Sequence, residues 1–367
     1  MTTATDPAPT RHLHDRGQSL WLDNITRAML DDGTIGRYID RYAVTGLTSN
    51  PSIYDKAIRT GVYDEAIKDA ASDRSNDDVF FDLAIEDLRR AADLFAGIHH
   101  RTNTVDGWVS LEVSPALAYD TEATVDAARR LHSRAARTNL FIKIPGTPEG
   151  LPAIEAATAA GIPVNITLLF DADQYRAAAD AYLKGIEHRL EQGLNPCVGS
   201  VASMFMSRWD VAVADLVPQE LHNRLALAVG RDIYRAYGDV QRSERWLRLA
   251  NAGARMQRLL WASTSTKDPD APDTLYVEGL AAPFTINTMP DATLEAFQHH
   301  GTVTGGLGDG PGSSDTTLAS FAEAGVDLRA LATKLQVDGA AAFVASWNDL
   351  ISVVEAQRAN MPANSGA

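Results

Sequence analysis

The chain has 367 residues, of which 33 are basic and 48 are acidic, so its formal net charge is −15. A hydrophobic fraction of 45% with 22% charged residues excludes a disordered or collagen-like protein. The acidic balance argues against nucleic acid or an anionic membrane surface as a partner. The single cysteine, Cys197, cannot form an internal disulfide, which favours a reducing cytoplasm. Residues 1–17 lack the apolar core of a signal peptide, and no apolar run approaches the roughly 20 residues of a membrane span.

In chain order, the sequence predicts a disordered leader, a run of strands separated by helix-like segments, and a flexible tail at 359–367. The helical spacing is clearest over 148–160 and 171–192, where Asp171 and Gln174 form a capping-box pattern. The leader covers residues 1–17. The eight predicted strands are 18–24, 43–49, 107–114, 139–145, 163–169, 197–206, 258–264 and 275–281.

This alternation predicts the fold class. Eight strand–helix units without a linker or a composition break favour a single-domain (β/α)8 TIM barrel over residues 18–358, with extra helices. Strands of such a barrel are covered on both faces and are therefore nearly continuous apolar runs. Because chemistry on this fold collects at the carboxyl ends of the strands, polar residues that interrupt those runs are the candidate functional residues.

Lys143 is the sharpest interruption, since it stands inside the apolar run 140–145 (LFIKIP). Burial without a partner disfavours an ammonium relative to the neutral amine, which is a nucleophile toward carbonyls and can form a Schiff base. The alternatives are a lysine that reaches outward to solvent, or a structural ion pair. From this strand alone, neither reading is preferred.

Other polar groups interrupt or end neighbouring strands. Glu112 lies in 109–114 (VSLEVS) and could serve only to neutralise Lys143, while Asp23 ends 20–23 (LWLD) and could be a helix cap. Asn50, before a proline, could likewise cap the next helix. A lysine, two carboxylates and neutral hydrogen-bonding groups from different strands together favour carbonyl chemistry. The neutral groups are Thr48, Asn50, Asn165 and Thr167.

The sequence also offers cations that could hold an anionic substrate. Arg208 follows the sixth strand, and Ser263 and Lys267 follow the seventh, where barrels often bind phosphate. Arg208 could instead pair with Asp210, and Lys267 could be a solvated loop lysine. None of the nine histidines ends a predicted strand, so no zinc site is expected and we predict no metal and no cofactor.

At this point the residues resemble those of a known family, the transaldolases. Residues 45–53 (TGLTSNPSI) resemble the first family signature, and residues 141–151 (FIKIPGTPEGL) resemble the second, which surrounds the Schiff-base lysine. Residues 165–170 (NITLLF) are a third match, and 260–264 (LWAST) resembles the longer bacterial subgroup. The resemblance runs from about residue 21 to about residue 354, most of the chain.

The resemblance implies a metal-free class I mechanism without a cofactor. Lys143 would form an imine with a ketose phosphate, and Asp23 would take the C4 hydroxyl proton as the C3–C4 bond breaks. Glu112 would shuttle protons through a water held with Thr167. The substrate-binding residues implied are Thr48, Asn50, Asn165 and Ser203 for the three-carbon unit, and Arg208 with Ser263 for phosphate.

The pattern departs from the family at one position, because Ser265 stands where many members carry an arginine; Lys267 would replace that cation. The implied donors are fructose 6-phosphate and sedoheptulose 7-phosphate, and the acceptors are erythrose 4-phosphate and glyceraldehyde 3-phosphate, in the non-oxidative pentose phosphate pathway. The implied enzyme is cytoplasmic, a monomer or homodimer, with no nucleic-acid or membrane partner. The alternatives are a class I fructose-6-phosphate-type aldolase, which would use a tyrosine in place of Glu112, and an inactive barrel that acts as a binding protein.

Overall fold

Eight parallel strands close into a barrel in chain order, so that the first strand pairs with the eighth. A computed structural model describes residues 8–70, 73–307 and 314–359. Every strand residue is buried, as expected when both faces of a parallel sheet are covered. The strands are Ser19–Leu22 (β1), Val44–Leu47 (β2), Val109–Glu112 (β3), Leu140–Pro145 (β4), Val164–Leu169 (β5), Ser200–Phe205 (β6), Arg258–Ala262 (β7) and Ile286–Met289 (β8).

Helices occupy the connections between successive strands, which gives the predicted (β/α)8 barrel. The helix Ala172–Glu191 matches its prediction closely, and the Asp171 side chain accepts a hydrogen bond from the Gln174 N–H. The α-helices of the described ranges are Pro9–Asp15 (α1), Arg27–Asp31 (α2), Thr34–Tyr42 (α3), Pro51–Ile58 (α4), Asp64–Lys68 (α5), Asn76–Arg101 (α6), Thr121–Ala135 (α7), Gly150–Ala159 (α8), Ala172–Glu191 (α9), Ser207–Val213 (α10), Leu225–Arg242 (α11), Glu244–Asn251 (α12), Leu275–Gly279 (α13), Asp291–His300 (α14), Ser314–Glu323 (α15) and Leu328–Ala359 (α16).

The eighth predicted strand is wrong. Residues 275–281 contain the short helix α13, and the strand that closes the barrel is β8, eleven residues later in the chain. Both segments are short apolar runs, and a run of this length does not distinguish a strand from a buried helix by periodicity. The predicted helix at 148–160 begins later than expected, at Gly150, although the Thr147 hydroxyl still accepts the Gly150 N–H at 3.0 Å.

The leader prediction is also wrong where the structure describes it. Residues 9–15 form α1, whose Thr10 and Leu13 are buried. Thr10 donates a hydrogen bond to Gln298 of α14 at 2.5 Å. The helix α1 therefore packs against α14, and it also contacts β1. Residues 1–7 of the predicted leader and 360–367 of the predicted tail lie outside the described residues.

Aromatic rings fill the amino-terminal half of the barrel. Trp108 stacks on Phe141 with ring centroids 4.0 Å apart, and Trp21 lies 6.2 Å from Phe141. Gly46 is needed here, because a Cβ at this position would lie 2.7 Å from both the Trp21 ring and the Trp108 carbonyl. Trp21 Nε1 also donates a hydrogen bond to the buried Asp106 carboxylate at 2.8 Å, so this end of the barrel combines aromatic packing with buried polar contacts.

The long helix α16 crosses the carboxyl side of the barrel. Within the described ranges it is the one helix that is long and apolar enough, by length and composition only, to span a membrane, although charged residues interrupt it. Its Trp347, Leu350 and Val354 are buried, and Trp347 packs edge-on against Phe80 of α6. Because α16 also contacts α4 and the end of β5, it lies along one side of the mouth of the barrel.

Candidate active site

The barrel register aligns three polar side chains on neighbouring strands. Glu112 of β3 is the Cα partner of Lys143 of β4, and Lys143 is the partner of Asn165 of β5. Partners in parallel strands project in the same direction, so these three side chains form one polar layer at the carboxyl end of the barrel.

Lys143 is buried, with 5% of its surface exposed. Its nitrogen Nζ donates a hydrogen bond to Glu112 Oε2 at 3.1 Å and a second one to the Ser49 carbonyl at 3.3 Å. The Phe343 ring of α16 covers it, with its centroid 5.4 Å from Nζ. The lysine therefore points into the protein, beside a carboxylate and under an aromatic ring.

Asp23 follows β1 directly and is held by its neighbours. Its Oδ1 accepts the Thr48 hydroxyl at 2.8 Å, and that hydroxyl also lies 2.8 Å from the Thr288 hydroxyl of β8. Burial raises the pKa of Asp23, and the nearby charge of Lys143 and the Thr48 hydrogen bond oppose this shift. Asp23 is not a helix cap, because Thr26 caps α2.

The pKa of Glu112 is shifted by burial and by Lys143, as is the pKa of Asp23. Burial raises the pKa of its carboxyl, while the charge and hydrogen bond of Lys143 act in the opposite direction. The direction of this shift, toward a higher pKa than that of an exposed carboxyl, suits a general acid–base group.

Three neutral groups lie beside the polar layer. Ser203 donates a hydrogen bond to Asn165 Oδ1 at 2.6 Å, and Asn165 Nδ2 donates to the Ser110 hydroxyl at 3.1 Å. The Thr167 hydroxyl is buried and has no partner among the described residues. An unpaired buried hydroxyl that lines a cavity is suited to hold a water or a substrate hydroxyl.

A cavity of about 620 Å³ opens above this layer, and most of the predicted site residues line it. Glu112 and Asn165 do not line it. Each instead accepts a hydrogen bond from a residue that does, Glu112 from Lys143 and Asn165 from Ser203. The predicted residues that line it are Asp23, Thr48, Asn50, Lys143, Thr167, Ser203, Arg208, Ser263 and Lys267.

The predicted phosphate cations lie on one wall of this cavity. Arg208 stacks over the Phe205 ring at 5.3 Å, and burial alone lowers its pKa from the ordinary value, with no carboxylate of the described chain contributing. The expected alternative pair with Asp210 does not form, because Asp210 accepts from Tyr276 and from the start of α11. Arg208 therefore has no acidic partner among the described residues and is available to bind an anion.

The other two members of the wall are less fixed. The Ser263 hydroxyl lies 2.9 Å from the Ser207 hydroxyl. The backbone of Ser263 is in the left-handed region, with a φ of 54°. Lys267 is exposed and donates to the Ser265 hydroxyl at 2.7 Å. Lys267 thus reaches the position where the family resemblance expects an arginine, from two residues farther along the loop.

Asn50 combines both of its predicted uses. Its side chain caps α4 by accepting the Ile53 N–H at 3.2 Å, and it also lines the cavity. The cap fixes the loop between β2 and α4, whose Ser49 carbonyl accepts from Lys143.

Several site residues escape sequence reasoning. Phe343 and Ser346 come from α16, where an aromatic or a serine at helical spacing has no distinguishing pattern. Thr288 lies on β8, which the sequence does not predict as a strand because 285–289 (TINTM) shows no regular alternation of apolar and polar residues. Lys56, an exposed lysine on α4, lines the opposite wall of the cavity.

Comparison with known proteins now adds to this geometry. The sequence model of the family described as Transaldolase/Fructose-6-phosphate aldolase matches residues 20–354. The chain belongs to this family. It is 44% identical to the transaldolase of Thermobifida fusca, over 96% of this chain and 99% of that protein, and 42% identical to that of Thiobacillus denitrificans, over 94% and 99%. The transaldolase of Kocuria rhizophila is 44% identical, over 95% and 98%.

Membership of the transaldolase family implies sugar-phosphate substrates, and the cavity has the matching parts: a buried amine at its base and cations at its wall. Within the part of the chain that the structure describes, no group of three His, Cys, Asp or Glu side chains is arranged to hold a metal ion.

Proposed function

We propose that this protein is a transaldolase, which transfers a dihydroxyacetone unit from a ketose phosphate to an aldose phosphate through a Schiff base on Lys143. The observation that carries the proposal is the buried Lys143 amine, 3.1 Å from Glu112, at the base of a cavity whose wall holds an unpaired Arg208. The near full-length similarity to transaldolases supports the same reaction.

The residues divide the chemistry between them. The Lys143 amine attacks the C2 ketone, and Glu112 moves the protons needed to lose water from the carbinolamine, with a water held by the Thr167 hydroxyl. Asp23 then takes the C4 hydroxyl proton as the C3–C4 bond breaks. The aldose phosphate leaves, and the three-carbon unit stays on Lys143 as an enamine. An acceptor aldose phosphate takes up this unit by the reverse steps.

Binding follows from the rest of the cavity. Arg208 holds the phosphate, with Ser263 as a neutral donor and Lys267 as the second cation. Thr48, Asn50, Asn165 and Ser203 bind or orient the hydroxyls of the three-carbon unit. Donors are fructose 6-phosphate and sedoheptulose 7-phosphate, and acceptors are erythrose 4-phosphate and glyceraldehyde 3-phosphate.

A turnover assay separates this proposal from its nearest alternative. Fructose 6-phosphate should be consumed only when erythrose 4-phosphate is added. Free dihydroxyacetone released at a comparable rate without an acceptor would favour an aldolase. No turnover with either would favour a binding protein.

We also infer a cytoplasmic protein with residues 18–358 as one barrel domain and without nucleic-acid or membrane partners. A monomeric or homodimeric state stays a prediction, which light scattering in solution would test.

A further inference from the structure

One face of helix α16 contacts the mouth of the barrel through residues spaced along the helix. Gln336, Gly339 and Phe343 stand at positions i, i+3 and i+7, and therefore share a side of the helix. Each contacts a different part of the carboxyl ends of β4 to β6 or the loops that follow them.

Gln336 ties this helix to two strand ends at once. Its buried amide nitrogen Nε2 donates to the Gly146 carbonyl at 3.0 Å and to the Leu168 carbonyl at 2.9 Å. The Gly146 N–H in turn donates to the Thr167 carbonyl at 2.7 Å. One amide thus holds the ends of β4 and β5, which carry Lys143 and Thr167.

The backbone that Gln336 holds is strained. Leu168 has a φ of +59°, which is costly for a bulky residue, and the β5–β6 register shifts at this point. Such a conformation persists only where surrounding contacts enforce it. Because Thr167 precedes Leu168, the direction of the Thr167 hydroxyl depends on this conformation.

The next two residues on the face complete the contact. Gly339 allows close approach, because a Cβ there would lie 3.0 Å from Leu168 Cδ2 and 3.4 Å from Arg208 Nη1. Two turns after Gln336, the Phe343 ring covers Lys143 Nζ. The position of the ring is therefore set by the same helix that Gln336 anchors.

We propose that Gln336 is a positioning residue that controls whether the three-carbon unit passes to an acceptor or is lost to water. The inference rests on the proposed function. In the loss reaction, the enamine carbon takes up a proton to give the imine, and water then hydrolyses the imine to free dihydroxyacetone and the Lys143 amine. By holding Phe343 over Lys143, Gln336 limits the bulk water that reaches the enamine, while the fixed Thr167 hydroxyl keeps the water that it holds in one place.

The test is the ratio of two rates in the full-length protein. One is dihydroxyacetone release from fructose 6-phosphate without an acceptor, and the other is transfer to erythrose 4-phosphate. Gln336→Leu should raise this ratio about tenfold, which corresponds to about 1.4 kcal/mol between the two barriers. The matched control is Gln357→Leu on the same helix. This change removes a similar hydrogen bond, from the Gln357 side-chain amide to the Ile58 carbonyl at 3.1 Å, and should leave the ratio unchanged.

A purely structural role would lower both rates together, so an unchanged ratio in Gln336→Leu would overturn the inference. If that variant does not fold, Gly339→Ala decides, because alanine favours the helix while its Cβ would lie 3.0 Å from Leu168 Cδ2, so the helix or the Leu168 side chain must shift. A raised ratio in Gly339→Ala supports the inference, and an unchanged ratio overturns it. A wild type that releases dihydroxyacetone freely would instead refute the proposed function and, with it, the inference.

Discussion

The change Glu112→Gln removes the charge next to Lys143 while keeping the shape of the side chain. The pair is buried, with each side chain 6% exposed, and the two atoms are 3.1 Å apart. Removing one partner of a buried pair outright costs about 3–5 kcal/mol. The loss here should be smaller, about 1–3 kcal/mol of unfolding free energy, because glutamine keeps an acceptor oxygen and Lys143 keeps the Ser49 carbonyl.

A loss of this size leaves the protein folded, since domains are stable by about 5–15 kcal/mol. Turnover should nevertheless fall by roughly a hundredfold or more, because glutamine cannot shuttle protons. The measurements are steady-state transfer from fructose 6-phosphate to erythrose 4-phosphate, and urea unfolding. Glu122→Gln, the same change at an exposed position in the first turn of α7, is the control and should alter neither. Wild-type turnover in Glu112→Gln would reduce Glu112 to a charge partner and refute the proton-transfer role.

The remaining predictions concern phosphate binding and pH. Arg208→Ala should raise the KM for fructose 6-phosphate about ten- to a hundredfold, as expected for a lost bond between a cation and phosphate, with Lys68→Ala of α5 as the control. Lys267→Ala should raise it less, because Lys267 is exposed; equal effects would contradict the division between the two cations. Burial raises the pKa of both Asp23 and Glu112, so the acid limb of kcat/KM should lie above their ordinary values of 3.8 and 4.5. Because the folded protein binds these two protons more tightly than the unfolded chain, the protonated carboxyls stabilise the folded state below their ordinary pKa values. This contribution to the free energy of unfolding is lost as the pH rises through the raised pKa values. An acid limb at or below 3.8 would contradict the burial argument.

The barrel and the family could be predicted from the sequence, and both predictions are confirmed. The reason is local: buried parallel strands are short apolar runs, so Lys143 and Glu112 are conspicuous within theirs. The order of the strands makes β3 and β4 neighbours, whereas the register that pairs Glu112 with Lys143 is set by the stagger of the closed barrel.

The parts that could not be predicted depend on contacts between distant segments. The sequence predicts the eighth strand at 275–281, because a short apolar run fits a strand and a buried helix equally well. The true strand, β8, and its Thr288 therefore stay unpredicted. Phe343 and Gln336 are an ordinary aromatic and an ordinary amide on a helix, and only the packing of α16 across the mouth gives them a place at the site. The roles assigned to the site residues stay predictions.

Covalent capture of the substrate tests the central claim most directly. The protein would be treated with borohydride in the presence of fructose 6-phosphate, digested, and mapped by mass spectrometry. We predict one reduced three-carbon adduct on Lys143, and none in Lys143→Ala. An adduct on another lysine, such as Lys267, or labelling that persists in Lys143→Ala, would contradict the account.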